Sequence, residues 1–300
     1  MSLLKYVNDT TGFFDFRTKV GFKINGNEML LIDSGIDENV GRKIVHEVEN
    51  RGYVVKMIFL THSHADHYGG ASFIKRRTGA IIVAPKIEAC FIENPILEAT
   101  SFSQAAVPPN FLLNKLILGE SCKVDAILED DVRLLHDFGT VPVPLPGHSI
   151  NHYGVLAGDV LFLGDSVFPK ETVEKYGVPF LYNPMDTLSS IEKIKNFEAK
   201  HFVLYHAGVF NKNDILNLLE FNVKVINDIF DCILKYCKGL TVSEVFSNVL
   251  KTLSVNINSL VEYYLVYSTL RSFVNCLVNL SKLKVNLFSG KELLFREDLG

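Results

Sequence analysis

Three histidines and one aspartate fall within six residues, in the run His62-Ser63-His64-Ala65-Asp66-His67. Imidazole nitrogens and a carboxylate oxygen are ligands that suit zinc and that manganese or iron also accept. A short apolar run rich in β-branched residues precedes them at 54–61, and Gly69-Gly70 follows before a helical pattern. The sequence therefore predicts a metal-binding loop at the C-terminal end of a strand.

Spacing within this run divides the ligands between two ions. Positions 62 and 64 alternate, so their imidazoles can converge on one ion, whereas Asp66 and His67 point elsewhere and can serve a second. Neither pair completes a ligand set, so further ligands have to arrive from distant loops. A polar loop that merely collects surface histidines is the alternative, and three histidines at this spacing argue against it.

Three later residues of ligand type each follow a strand-like apolar run. They are His148 after residues 141–145, Asp165 after residues 160–163, and His206 after residues 202–205. An earlier aspartate, Asp33, stands in the same relation to residues 29–32. The order of the later ligands along the chain is therefore His, Asp, His.

These motifs resemble those of the metallo-beta-lactamase superfamily of metal-dependent hydrolases, including its glyoxalase II-like and lactamase-like members. The matching segments are HSHADH at 62–67, PGHS at 146–149, GDS at 164–166 and YHAG at 205–208, and the resemblance covers roughly residues 1–210. It implies an α/β fold, the four-layer αβ/βα sandwich. It also implies that His62, His64 and His148 bind one metal, that Asp66, His67 and His206 bind the other, and that Asp165 bridges them. Asp33 would then brace the ligand loop from behind.

The expected chemistry follows from two divalent ions. Metals about 3.5–4 Å apart share a water, lower its pKa from about 15.7 towards 7 and polarise the electrophile. The sequence therefore predicts a dinuclear hydrolase, with two Zn²⁺ per chain or Mn or Fe in their place, that uses a metal-bridging hydroxide. Small esters, thioesters or lactone-like molecules are the expected substrates. Asp66 is also expected to steer the proton of the attacking water, and the serines of the motifs are expected to be turn groups.

Other functions remain open at this point. A phosphodiesterase or endoribonuclease could use the same metal pair, and a mononuclear iron dioxygenase acting on sulfur compounds could use a subset of the ligands. A metal-binding module without catalysis is a third alternative. His152 and Tyr182 are the candidates for a proton donor to the leaving group, although ordinary loop residues are the favoured interpretation of both.

Composition places the chain among globular proteins. It has 300 residues, 48% hydrophobic and 21% charged, with a formal charge of −4, which gives no general attraction to nucleic acid. Five cysteines without a Cys-x-x-Cys pair are typical of reduced thiols, and no apolar run approaches the ~18 residues of a membrane span. We therefore expect a cytoplasmic protein with a small-molecule substrate and no membrane partner. Nucleic acid and a homodimer stay open as partners.

Residues 1–210 are expected to form the catalytic domain. Within it, residues 85–131 form a loop-rich insertion that we interpret as a lid, with a packed structural excursion as the alternative. A helix is predicted over 189–200 with a capping box between Ser189 and Glu192. Of the histidines outside the motifs, His46 is predicted on a helix surface and His136 in a strand.

Residues 211–300 lack motifs of metal-ligand type and have long helical patterns, which predict a helical C-terminal domain. Its helices followed by a hairpin resemble the winged-helix-like tail of some lactamase-fold hydrolases, including certain endoribonucleases. Three helices are expected, two of them with capping boxes at Thr241/Glu244 and Ser259/Glu262. Alternating apolar residues from Leu283 and a turn at Ser289-Gly290 predict a closing hairpin. An aromatic stripe on the last helix is expected to be core or a dimer contact.

Overall fold

The computed structural model describes residues 3–129 and 133–297. The last two residues of the predicted insertion 85–131 therefore lie outside the described residues, as do the chain ends of the two predicted domains. Within these ranges the strands form three sheets. The first has seven strands in chain order: β1 (Leu4–Tyr6), β2 (Thr11–Phe14), β3 (Val20–Asn25), β4 (Glu28–Ile32), β5 (Val54–Phe59), β6 (Ile81–Ala84) and β7 (Ala126–Ile127).

The second sheet has five strands and the third has three. Those of the second are β8 (Thr140–Pro144), β9 (Tyr153–Ala157), β10 (Val160–Phe162), β11 (His201–Leu204) and β12 (Gly208–Asn211), in the order β12-β11-β10-β9-β8. Those of the third are β13 (Lys238–Thr241), β14 (Leu283–Phe288) and β15 (Lys291–Arg296), in the order β13-β15-β14.

Helices cover the outer faces of the first two sheets and make up most of the C-terminal region. They are α1 (Glu38–Glu49), α2 (Ala65–Tyr68), α3 (Ala71–Thr78), α4 (Lys86–Glu93), α5 (Ile96–Phe102), α6 (Arg133–His136), α7 (Lys170–Tyr176), α8 (Pro184–Lys195), α9 (Lys212–Tyr236), α10 (Val242–Thr252) and α11 (Leu260–Asn279). A single 3₁₀ turn, Asn110–Leu112, lies between α5 and β7.

Strand pairing changes direction within both large sheets. In the first, β1 to β4 pair antiparallel and β4 to β7 pair parallel, with α1 and α3 as crossover connections. In the second, only β10 and β11 pair parallel, and the chain between them includes α8. Parallel neighbours place their carboxyl ends at one edge, which brings the loops after β4 and β5 together in the first sheet and those after β10 and β11 together in the second.

The two large sheets face each other with an apolar core between them. On β4, Leu30 and Ile32 point into that core with Phe162 of β10, whereas Leu31 points outwards and packs with Ile44 of α1. Both faces of β4 are thus buried, which explains its uninterrupted apolar sequence. Helices outside each sheet complete four layers, so the predicted αβ/βα sandwich is confirmed.

Three local predictions were wrong. α8 begins at Pro184, because the side chain of Asn183 accepts hydrogen bonds from the N–H groups of the first turn; Ser189 lies inside the helix and donates to the carbonyl of Met185. His136 ends α6 and is not in a strand. The insertion is not loop-rich over its first half, because α4 and α5 occupy most of residues 86–102.

The C-terminal region has the three predicted helices and the predicted hairpin. The capping box at Thr241 and Glu244 is present, but Ser259 caps α11 alone, since the carboxylate of Glu262 accepts from the N–H of Asn258. β13 was not predicted, because its residues lack an alternating pattern. Among the described residues, no helix has the length and hydropathy to cross a bilayer.

One apolar cluster crosses the predicted border at residue 210. It contains Leu161 of β10, Ile191 of α8, Ile226 of α9, Val245 of α10 and Phe273 of α11. The C-terminal helices therefore cover the outer face of the second sheet and share its core. The division into two domains stays a prediction, and residue 210 marks a change in secondary structure.

Candidate metal centre

The ligand run continues directly from the end of β5, but only its first half is a loop. His62 and His64 lie in the turn after the strand, whereas Asp66 and His67 lie on the one-turn helix α2. α2 packs tightly against the loop after β4, because a Cβ atom on Gly69 would meet the carbonyl oxygen of Ile36 at 2.0 Å. The glycine that was predicted to form a turn therefore also lets the two loops approach each other.

Three imidazole nitrogens converge on one side of the site. His62 Nε2 lies 3.1 Å from His64 Nδ1, and His148 Nε2 lies 2.8 Å from that same atom. The three atoms lie within 4.8 Å of one another. Such a cluster can supply three ligands to one metal.

Asp66, His67 and His206 form a second cluster. The Oδ2 atom of Asp66 lies 3.8 Å from His67 Nε2 and 3.5 Å from His206 Nε2. The ligand atoms of this group also lie within 4.8 Å of one another. The hydroxyl of Thr18, which was not predicted, donates to Asp66 Oδ2 over 2.9 Å and fixes the carboxylate.

Asp165 lies between the two clusters. Its Oδ2 atom is 3.0 Å from His206 Nε2, 3.4 Å from His67 Nε2 and 3.7 Å from His148 Nε2. One carboxylate oxygen thus faces ligands of both groups, which is the position that a bridging ligand requires. All seven predicted ligand residues come together here, and metal binding by them stays a prediction.

The site contains one polar atom that points to a missing partner. Among the described side chains, His67 Nε2 is the buried nitrogen or oxygen without a hydrogen-bond partner. A buried polar atom without a hydrogen bond lowers the stability of the folded protein, and most such atoms have a hydrogen-bond partner. A metal ion would use the lone pair of this nitrogen, so the residues fit a metal-binding role.

Hydrogen bonds at Nδ1, the ring nitrogen that faces away from the clusters, fix the orientation of three imidazoles. His67 Nδ1 donates to Asp33 Oδ2 over 2.7 Å, and His148 Nδ1 donates to the carbonyl of Phe180 over 3.0 Å. His62 Nδ1 lies 2.9 Å from the hydroxyl of Thr61, which itself donates to Asp33 Oδ2. Since neither a carbonyl nor a carboxylate can donate, these contacts place the ring proton on Nδ1 and leave Nε2 free for a metal.

Asp33 braces the ligand run as predicted. Its carboxylate accepts from the N–H of Thr61, from the hydroxyl of Thr61 and from His67, all buried. Its backbone has a positive φ of 67°, a conformation that non-glycine residues adopt uncommonly. The contacts with Thr61 and His67 hold that conformation in place.

His152 supports Asp165 and does not face the cavity. Its Nδ1 donates to the carbonyl of Leu145, and its Nε2 accepts from the N–H of Asp165 over 3.1 Å. A Cβ atom on Gly164, which has a φ of 54°, would lie 2.5 Å from that Nε2. With both ring nitrogens engaged and the ring buried, His152 is unsuited to be the proton donor. Tyr182 is half exposed and lines the cavity.

Sequence reasoning missed two buried glutamates from the insertion. Glu88 of α4 accepts from the N–H and hydroxyl of Ser63, from the hydroxyl of Ser149 and from the N–H of Asn151, so it ties together the two loops that carry His64 and His148. The Oε1 atom of Glu98 of α5 lies 3.6 Å from His64 Nε2. Each acid lies on the buried face of its helix beside alanine and another apolar residue, which is the signal that could have identified it.

The two clusters differ in proton affinity. Burial lowers the pKa of His62 well below its usual value, that of His64 to about 4 and that of His148 to about 3. Burial has the same tendency at His67, but the carboxylates of Asp165, Asp66 and Asp33 raise its pKa well above the usual value. Asp165 likewise raises the pKa of His206. The first cluster is therefore neutral at pH 7, whereas a metal competes with protons more strongly at the second.

A cavity of about 810 Å³ opens beside His64 and His148. Its walls come from α4 and α5 of the insertion, from the segment around Phe180 and from α11. The insertion also packs on α11 through a cluster that includes Phe102, Leu112 and Tyr264. The insertion is thus a wall of the cavity, and its role as a lid stays a prediction.

Comparisons with known proteins agree with this geometry. The sequence model of the metallo-beta-lactamase superfamily matches residues 20–206. Hydroxyacylglutathione hydrolase 1 of Vibrio vulnificus (strain YJ016) is 29% identical over 165 residues, 55% of this chain and 53% of the relative. The hydroxyacylglutathione hydrolase of Prochlorococcus marinus (strain MIT 9312) is 25% identical over 213 residues, 70% of this chain and 73% of the relative. The chain thus spans between about half and three quarters of these relatives.

A solved structure extends the likeness to the whole chain. The crystal structure of a metallo-beta-lactamase family protein from Thermus thermophilus superposes with a TM-score of 0.70 at 16% identity, covering 99% of this chain and 98% of that one. At this identity the likeness concerns the fold, including its C-terminal helices. The match of the family model spans both clusters and the sandwich that carries them, so the chain belongs to the metallo-beta-lactamase superfamily.

Proposed function

We propose that this protein is a dinuclear metal-dependent hydrolase that cleaves a small ester, thioester or lactone-like substrate. The observation that carries the proposal is the position of Asp165, whose Oδ2 atom faces His148 on one side and His67 and His206 on the other. Two ligand clusters that share one carboxylate form a site for two neighbouring ions. The relatives named hydroxyacylglutathione hydrolases favour a thioester among these substrates.

The residues would divide as follows. His62, His64 and His148 would hold one metal, Asp66, His67 and His206 the other, and Asp165 both. When bound, divalent metals supply a water of lowered pKa and polarise the carbonyl group that it attacks. Zinc fits the mixture of imidazole and carboxylate best, with manganese or iron as alternatives.

The protein's own residues supply position and proton transfer. The carboxylate of Asp66, fixed by the hydroxyl of Thr18, would accept a proton from the attacking water. Asp33 and the carbonyl of Phe180 keep the imidazoles turned towards the reacting atoms. As the carbonyl carbon gains the oxygen, its bond to the sulfur or oxygen of the leaving group breaks, and that group takes up a proton to give an acid and a thiol or alcohol.

The lining of the cavity supports a small organic substrate over a nucleic acid. Among the described residues that line it, Arg271 is the only lysine or arginine, whereas binding to a phosphate backbone depends on several. Aromatic and apolar side chains from α4, α5 and α11 form much of the wall. We also propose the cytoplasm as the compartment, supported by five free cysteines, and leave a homodimer as an open alternative.

Metal analysis combined with turnover tests the proposal. Protein purified without added metal would be analysed for zinc, manganese and iron, and then assayed on a thioester, a lactone, a phosphodiester and a persulfide. We expect about two zinc ions per chain and hydrolysis of the thioester or the lactone that is abolished by a chelator and restored by zinc. About one iron per chain with oxygen consumption on the persulfide would overturn the proposal in favour of a dioxygenase.

A further inference from the structure

The cavity beside the metal centre has two chemically different walls. One carries His64 and His148, where the bond to be broken must lie. The other is formed by α11 and β15 and carries Tyr263, Arg271 and Glu292. A substrate that reaches the first wall with its carbonyl group presents the rest of the molecule to the second. The second wall therefore decides which group the substrate can carry beyond the scissile bond.

The single guanidinium on the second wall is already paired. Arg271 Nη1 donates to Glu292 Oε2 over 2.6 Å, and Nη2 donates to Oε1 over 2.9 Å. This two-pronged contact is the geometry with which arginine binds a carboxylate ligand. Arg271 lowers the pKa of Glu292, so the partner is ionised at neutral pH. A carboxylate of the protein thus occupies the place that an anionic substrate would need.

Among the other described residues that line the cavity there is no lysine or arginine. Glu88 and Glu98 add two carboxyl groups, and the other described lining residues of α11 are tyrosines, serines and an asparagine. The rings of Tyr263 and Tyr267 lie 5.6 Å apart with a tilt of 33°, so they offer apolar faces together with hydroxyl groups. Neutral, partly apolar groups match such a wall, and carboxylates meet no unpaired cation on it.

We propose that the substrate is an ester or thioester whose group beyond the scissile bond is uncharged and partly apolar, and that the Arg271–Glu292 pair excludes anionic carriers such as glutathione. This inference rests on the proposed hydrolase function. It separates the chain from the relatives that are named for a glutathione thioester, because free glutathione thioesters carry two carboxylates. Glu292 already accepts the hydrogen bonds of the Arg271 guanidinium, so those donors are not available to a substrate carboxylate.

Two substrates that share a thioester and a peptide test the proposal. One is S-lactoylglutathione, a net anion, and the other is the diisopropyl ester of its N-acetyl derivative, which carries no charge. Both would be assayed with the zinc-loaded protein through loss of thioester absorbance. We expect kcat/KM to be at least about tenfold higher for the diester, because the diacid places its charges against unmatched groups.

A charge variant then tests the role of the pair. Glu292→Gln keeps a hydrogen-bond acceptor for Arg271 but removes the competing charge. We expect the ratio of kcat/KM for the diacid to kcat/KM for the diester to rise about threefold to fivefold, since half-exposed ion pairs have modest strength. Asp228→Asn is the matched control, because Asp228 pairs with Lys224 on the surface of α9, and it should leave that ratio unchanged. Thermal melting of each variant checks folding.

The outcomes are distinguishable from a failure of the hydrolase proposal. Turnover of the diacid equal to or faster than that of the diester would overturn the inference and leave the hydrolase function standing, and it would indicate that a substrate carboxylate displaces Glu292. Absence of turnover for both thioesters and for the lactone would overturn both. The comparison of the two substrates on the wild-type protein decides the matter even if Glu292→Gln fails to fold.

Discussion

The two ligand clusters of the candidate metal centre, its first and second halves, differ in their chemistry. The first half has three buried imidazoles whose pKa values are lowered, so they are neutral and available before any metal arrives. The second half has carboxylates beside two imidazoles whose pKa values are raised. A metal entering the second half competes with protons more strongly than one entering the first. We therefore expect the first half to bind an ion more readily and the second to complete the catalytic pair.

Substitution of Asp165 should have the largest effect on metal content and activity, because its carboxylate faces residues of both halves. Asp165→Asn takes the negative charge from both clusters at once. We expect metal content to fall below one ion per chain from about two and hydrolysis to fall to background. Elemental analysis and thioester turnover measure the two quantities. Retention of both ions by the folded variant would show that Asp165 does not bridge.

Substituting one histidine in each half should distinguish the contributions of the two halves to metal content. His64→Ala should strip the ion of the first half and weaken the second, whereas His206→Ala should leave one ion per chain in the first half with hydrolysis greatly reduced. His46→Ala is the matched control, since His46 lies on the exposed face of α1, and it should leave metal content unchanged. Equal metal loss in all three variants would contradict the assignment of ligands.

A smaller effect on metal affinity is expected from substitution of Asp33, which accepts hydrogen bonds from Thr61 and His67. In Asp33→Asn an amide N–H₂ can face His67 Nδ1, which favours the tautomer that carries its proton on Nε2 and cannot bind a metal there. We expect affinity for the second ion to fall about 10- to 100-fold and affinity for the first to fall less. Calorimetric titration of zinc into the chelator-treated variant measures both. An equal loss at the two sites would mean that Asp33 acts mainly through Thr61.

The smallest effect concerns the stability of the metal-free protein. His148 and His152 have pKa values of about 3 in the folded chain, below the value near 6.5 of unfolded histidine, so the unfolded state binds more protons between these values. Their contribution to stability is full above pH 6.5 and is lost as the pH falls towards 3. His67 and His206, with raised values, contribute stability that is present below pH 6.5 and is lost as the pH rises through their folded pKa.

Urea unfolding of chelator-treated protein at pH 7.5 and pH 5 tests these signs. Each pKa unit corresponds to about 1.4 kcal/mol, so we expect a net loss of stability at pH 5 that His148→Asn reduces and His206→Asn increases. The same change in both variants would show that the halves do not differ in proton affinity.

The seven residues of ligand type that the structure brings together were predictable because their information is local. The run from His62 to His67 concentrates donors in six residues, and each later residue of ligand type stands a few residues after the end of a strand, so the sequence pattern alone points to them. Glu88 and Glu98 escaped prediction because their place beside apolar residues is a weak signal, and an acid on an amphipathic helix more often lies at the surface. The start of α8 was misplaced for a related reason: Ser189 with Glu192 has the form of a capping box, but Asn183 and Pro184 provide a stronger start.

The sequence by itself determined the kinds of ligand, their order and the alternation of strands and helices that places them at one edge of two sheets, since these depend on periodicity and residue type. Only the tertiary structure decided which atoms meet. The position of Asp165 between the clusters, the opposite proton affinities of the two halves and the pairing of Arg271 with Glu292 all join residues far apart in the chain. Burial and distance set these interactions, and both arise only when the sheets and the C-terminal helices pack together.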